Sequence, residues 1–89
     1  MTSPVRADTA LLVQERLRKD GDDVDALFTL AALRANDGNV REGLIILDRV
    51  LRIDPRYPGA WIFKAKLHRM QGEPDQAENA QRVAEAVEP

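Results

Sequence analysis

The sequence predicts an all-α fold of antiparallel helical hairpins, about five helices in a single domain, and three observations predict it. Residue types return after 34 positions: Ala26 and Ala60, Leu27 and Trp61, Ala31 and Ala65, Leu33 and Leu67, Gly38 and Gly72, Pro55 and Pro89. A period of that length, with a Gly in the middle and a Pro at the end, marks stacked helical hairpins. Within each period the apolar residues recur at helical spacing, and the breaks between them carry Gly, Pro, Asp or Asn.

The elements follow in order. Ser3 before Pro4 reads as an N-cap with proline at the first helical position, where its missing N–H is not needed. Ala10, Val13 and Leu17 continue at helical spacing and Gly21 reads as a left-handed stop, so a helix is expected over about 4–19. Its Leu11 and Leu12, added to Val13 and Leu17, are more apolar groups than one packing face absorbs. Asp22 and Asp23 suit the N-terminus of the next helix, whose apolar face is Leu27, Leu30, Ala31 and Leu33. Gly38 ends that helix, and Asn39 with Glu42 reads as a capping box for the following one. The short turn makes the two helices antiparallel. Leu44, Leu47, Val50 and Leu51 line the second helix, and Gly43 within it costs about 1 kcal/mol against Ala unless a close helix contact requires it. Asp54 and Pro55 stop the helix. Pro58 is expected to open the next, over about 58–71, with Trp61, Ala65, Leu67 and His68 on one side and Gly72 at its end. Pro74 starts the last helix, 74–87, where Gln81 and Glu85 replace apolar groups and give it the polar outer face of a terminal cap.

Composition bounds the function. A chain of 89 residues, 44% hydrophobic and 31% charged, is long enough for one small ordered domain and too apolar for a disordered one. The absence of cysteine removes disulfides, thiolate nucleophiles and thiolate metal sites. A net charge of -2 gives no general attraction to nucleic acid or to an anionic membrane. Charged residues from Arg6 to Arg18 interrupt any signal-peptide core, and no apolar run spans a bilayer, so a cytoplasmic protein is expected.

Two units and a leading half unit resemble the tetratricopeptide repeat family, whose pattern runs W-x2-L-G-x2-Y, A-x3-F, P. The first unit, 24–57, reads Leu27, Leu30, Ala31, Arg34, Gly43, Leu47 and Pro55; the second, 58–89, reads Trp61, Lys64, Ala65, His68, Ala77, Gln81 and Pro89. The half unit covers 4–21. Arg34 and His68 stand where the family has tyrosine, Lys64 where it has leucine, and Gln81 where it has phenylalanine. The resemblance implies a right-handed α-solenoid that binds a protein or peptide in the concave groove of its first helices. Residues one position after the conserved Trp or Leu, and four and seven further on, line that groove in the family. Here they are Phe28, Ala32 and Ala35, then Ile62, Lys66 and Arg69. Chaperone-binding members clamp a terminal carboxylate with Lys and Asn, but Phe28, Ala32 and Ile62 occupy places where such a clamp needs polar groups.

Catalytic, cofactor and metal readings find little purchase. His68, the only histidine, lacks an oriented partner in the sequence and reads as a packing residue with a polar tip. Ser3 is the only serine, so no serine triad has a nucleophile within the helices. Asp20, Asp22, Asp23 and Asp25 crowd one turn, but a calcium loop counted from Asp20 has Asp25 and Ala31 where Gly and Glu are needed. Phe28, Tyr57, Trp61 and Phe63 read as too scattered for a base-stacking platform, with Trp61 in the core. The expected function is therefore a non-catalytic protein-interaction module, with no cofactor, metal, nucleic-acid, membrane or small-molecule partner. The alternative is a self-associating scaffold piece, a homo-oligomer or part of a longer repeat array.

Overall fold

The computed structural model describes residues 4–87, with side chains described from residue 8 onward. Among these residues the chain forms five α-helices and no strand: α1 (Pro4–Lys19), α2 (Val24–Asn36), α3 (Val40–Ile53), α4 (Ala60–Met70) and α5 (Pro74–Val87). Each helix packs mainly on its neighbour in the chain, and the hairpins α2–α3 and α4–α5 are the closest pairs. No helix among the described residues is long and apolar enough to cross a membrane.

The two hairpin turns repeat bond for bond. Asn39 N donates to Arg34 O at 2.9 Å and Gly38 N to Ala35 O at 3.0 Å; one period later Glu73 N donates to His68 O at 2.9 Å and Gly72 N to Arg69 O at 3.0 Å. This is the Schellman arrangement, which satisfies orphan carbonyls at a helix end and needs a left-handed residue. Gly38 and Gly72 supply it, at φ 91° and 72°. A side chain at either place would meet the steric cost that L residues carry there.

Three local expectations are corrected. Gly21 is not left-handed; instead Asp20 N donates to Arg16 O at 2.9 Å and Asp22 N to Asp20 Oδ1 at 2.9 Å, so an Asx turn closes the break after α1. The capping box does not form: Asn39 makes no side-chain cap bond, its own N–H is donated to Arg34 O, and Glu42 turns to Arg34 across the hairpin, with Oε1 at 3.2 Å from Nε. Pro58 lies in a turn, and α4 starts two residues later behind Gly59, left-handed at φ 80°. The expected Ser3 cap lies outside the described residues.

Leu27, Ala31 and Ala35 from α2, Val40, Leu47, Val50 and Leu51 from α3, and Ala60 and Leu67 from α4 form the core. Gly43 sits at a close approach of α2 and α3: a Cβ placed there would lie 3.0 Å from Ala31 O and 3.4 Å from Ala35 Cβ. Close approach is therefore the reason for a glycine inside this helix. Its counterpart one period on, Ala77, is also buried.

Candidate functional site

The acidic turn is divided among separate structural tasks. Asp23 caps α2 by accepting from Ala26 N at 3.1 Å, and it takes both Arg16 Nε at 2.8 Å and Nη2 at 3.0 Å. The Ala26 amide first, and Arg16 second, hold the Asp23 carboxyl below the usual carboxylate range. Asp22 Oδ1 accepts from Arg49 Nη2 at 2.9 Å, and Asp25 Oδ1 accepts from Tyr57 Oη at 2.6 Å. These acids tie α1, α2, α3 and the α3–α4 turn together, and no three His, Asp or Glu groups among the described residues converge as a metal site would need.

The aromatic residues are not scattered. Phe28 lies 4.9 Å from Tyr57 and 5.6 Å from Phe63, ring centroid to ring centroid, both in tilted arrangements. The cluster joins the first hairpin to the second, so Phe28 is partly buried packing and not the open apolar floor expected of it. Burial first, and the bond to Asp25 second, push the Tyr57 phenol up to about 12. A raised phenol stabilises the fold fully below the unfolded value near 10 and loses that contribution as pH climbs through about 12. Tyr57→Phe should lower stability by about 1 kcal/mol at neutral pH, and the share of the decline over pH 10–12 that Tyr57 is expected to give the parent should be absent. Denaturant titrations across that range check it, and Tyr57 is the only tyrosine to titrate.

The six expected groove residues divide. Ile62 is 51% exposed, and Lys66 and Arg69 on the same helix are exposed with no acid paired to them among the described residues. Ala32 is half-buried. Ala35 is a correction: at 5% exposure it lies against Gly43 at the α2–α3 contact and cannot line a groove. The face that remains open is thus an apolar group followed by two cations at i+4 and i+7, one stripe of α4.

Two clefts share one register. A cleft of about 390 Å³ between α1, α2 and α3 is lined by residues including Leu27, Leu30, Ile46 and Arg49. A cleft of about 240 Å³ is lined by Trp61, Lys64, Ala80 and Val83, each 34 positions further on, together with His68. Trp61 is partly buried at its wall and packs against the core cluster from its edge. The reactive-looking groups here are engaged internally: Trp61 Nε1 donates to Pro55 O at 2.9 Å, Lys64 Nζ lies 2.9 Å from Asp48 Oδ1 and 5.1 Å from the Trp61 ring centroid, and His68 Nδ1 is 3.1 Å from Glu73 Oε1. Sequence reasoning missed the Tyr57–Asp25 bond and the Lys64–Asp48 pair, since both join residues far apart in the sequence, the first from the α3–α4 turn back to α2 and the second from α4 to α3. Neither protein-family models nor curated proteins compared with the chain give a match.

Proposed function

We propose that the protein is a non-catalytic interaction module of tetratricopeptide type, a right-handed helical solenoid that holds a short peptide or protein segment against the first helices α2 and α4. The observation that carries this reading is the stripe Ile62, Lys66 and Arg69, a half-exposed aliphatic group beside two exposed cations that have no acid paired to them among the described residues. Ile62 is one of several large apolar side chains left exposed, and what sets it apart is the pair of cations one and two turns further along the same helix face. The 34-residue period and the two equivalent turns support the family likeness. The ligand it suits combines an apolar anchor with acidic residues. Burying the anchor contributes about 1.5 to 3 kcal/mol, whereas each exposed ion pair adds about 0 to 1, so the apolar contact sets affinity and the charges set association rate.

Random-peptide display on the immobilised chain should select sequences with an aliphatic or aromatic residue beside Asp or Glu. Ile62→Glu should weaken the selected peptides about tenfold or more at unchanged helical content, and Lys66→Glu with Arg69→Glu should remove the salt dependence of binding. Peptides that bind these variants as well as the parent would reject the face. Phe28→Ala is unsuited to this test, because the Phe28 ring also holds the two hairpins together.

A further inference from the structure

The cleft between α1, α2 and α3 differs in chemistry from its counterpart in the second hairpin. It brings together Leu17, Leu27, Leu30, Ile45 and Ile46, and at about 390 Å³ it falls within the size range of ligand-binding clefts. Leu27 belongs to the core cluster, so the cleft reaches down to the interior. Arg49 and Arg52 complete the wall formed by α3, and no carboxylate lines it. Arg49 Nη2 donates to Gly21 O at 2.8 Å and to Asp22 Oδ1 at 2.9 Å. Arg52 is exposed with no acid paired to it among the described residues, and Asp48, one turn before it, is held by Lys64 at 2.9 Å. The cleft thus combines an apolar lining with one uncommitted cation.

The repeat separates this combination from the needs of folding. One period on, Leu30, Ile45, Arg49 and Arg52 become Lys64, Asn79, Val83 and Ala86, in a hairpin closed by the same turn bonds. Ile45 is 65% exposed where the second hairpin presents an exposed amide. An open isoleucine beside arginines is therefore a property of the first cleft and not of the hairpin.

We propose that this cleft binds an aliphatic monocarboxylate, an alkyl chain of medium length ending in a single carboxylate. The chain lies against Leu17, Leu30 and Ile45, and the head group meets the Arg52 guanidinium, whose planar fork matches a carboxylate. One uncommitted cation suits one negative charge, while Arg49 stays with Asp22. The site is separate from the Ile62 face and independent of the role proposed for it. It adds a small molecule to the partners expected from the sequence.

Titration of the full chain with sodium decanoate, kept below its micelle threshold, should give saturable binding. Amide NMR shifts should gather around Leu17, Gly21, Leu30, Ile45 and Arg49. Decanol should bind about threefold more weakly, and decylammonium more weakly again, since each loses the ion pair and the second adds repulsion. Arg52→Glu should weaken decanoate about fivefold and leave decanol unchanged. Arg41→Glu makes the same charge change about three turns earlier on α3, outside the cleft lining, and should have little effect. Ile45→Asn installs the residue of the second hairpin and should weaken decanoate and decanol alike by about threefold or more. Both substituted positions are exposed, so circular dichroism should match the parent. Shifts spread over the whole chain or gathered at Trp61 or Ile62, decanol binding as tightly as decanoate, or an equal loss with Arg41→Glu would each overturn the proposal. A peptide ending in leucine that gives the same shifts and binds more tightly than decanoate would also overturn it, in favour of a protein segment.

Discussion

Leu47→Ala should destabilise the protein by about 2 to 5 kcal/mol, the range for removing a buried leucine when its surroundings relax only in part. Leu47 has 0% exposure and belongs to the core cluster shared by α2, α3 and α4. A domain of this size holds only about 5 to 15 kcal/mol in total, so the loss takes a large part of it. Urea titration followed by circular dichroism reads the change as a lower midpoint. The counterpart one period on is Gln81, half-buried in the terminal helix, and Gln81→Ala should change stability by no more than about 0.5 kcal/mol. An equal effect at the two positions would mean that the units are stabilised alike and that α5 is not a cap.

Gly43→Leu should open the first hairpin at a cost of about 3 kcal/mol or more, beyond ordinary overpacking because the obstructing atom is backbone. A Cβ there already stands 3.0 Å from Ala31 O, and a longer side chain has nowhere to turn without parting α2 from α3. Gly43→Ala tests the same contact more gently. The gain in helix propensity, about 1 kcal/mol, opposes a shift of a few tenths of an ångström, and the buried Ala77 at the equivalent place shows that an alanine fits this contact in the second hairpin. A near-neutral Ala variant beside a strongly destabilised Leu variant is the expected pair of results. Thermal melts of both distinguish them, and a stable Leu variant would show that the helices separate freely.

The helices were legible because their ends are written in residues with few alternatives. Gly38 and Gly72 are left-handed where a stop was expected, Asp54 is extended before Pro55, and α3 and α5 begin and end at the residues the spacing indicates. Where several local partners compete, the sequence was a weaker guide. Glu42 had Asn39 close at hand and chose Arg34 across the turn, and Asp20 closed the first break in place of Gly21. Of the candidate site, Ile62, Lys66 and Arg69 came from the groove register that the family resemblance implies, and all three are exposed on α4. Ala35 and Phe28 were misjudged for one reason: periodicity states which side of a helix a residue is on, not what another hairpin brings against it. Gly43 came up to Ala35, and Tyr57 with Phe63 came up to Phe28.

Packing between chain neighbours also sets the order in which this molecule comes apart. Each helix leans mainly on the one before and the one after it, so most native contacts join residues close together in sequence. Loops closed in forming them are short, which favours folding on a microsecond to millisecond scale typical of local helical topologies. The same arrangement lets α1, or the α4–α5 hairpin as a unit, part from α2 and α3, because the α1–α2 and α3–α4 interfaces are the thin ones. Parting from either side exposes Leu17 or Leu67 before it reaches Leu47, so the centre of α3 is the last part of the chain to give up its structure.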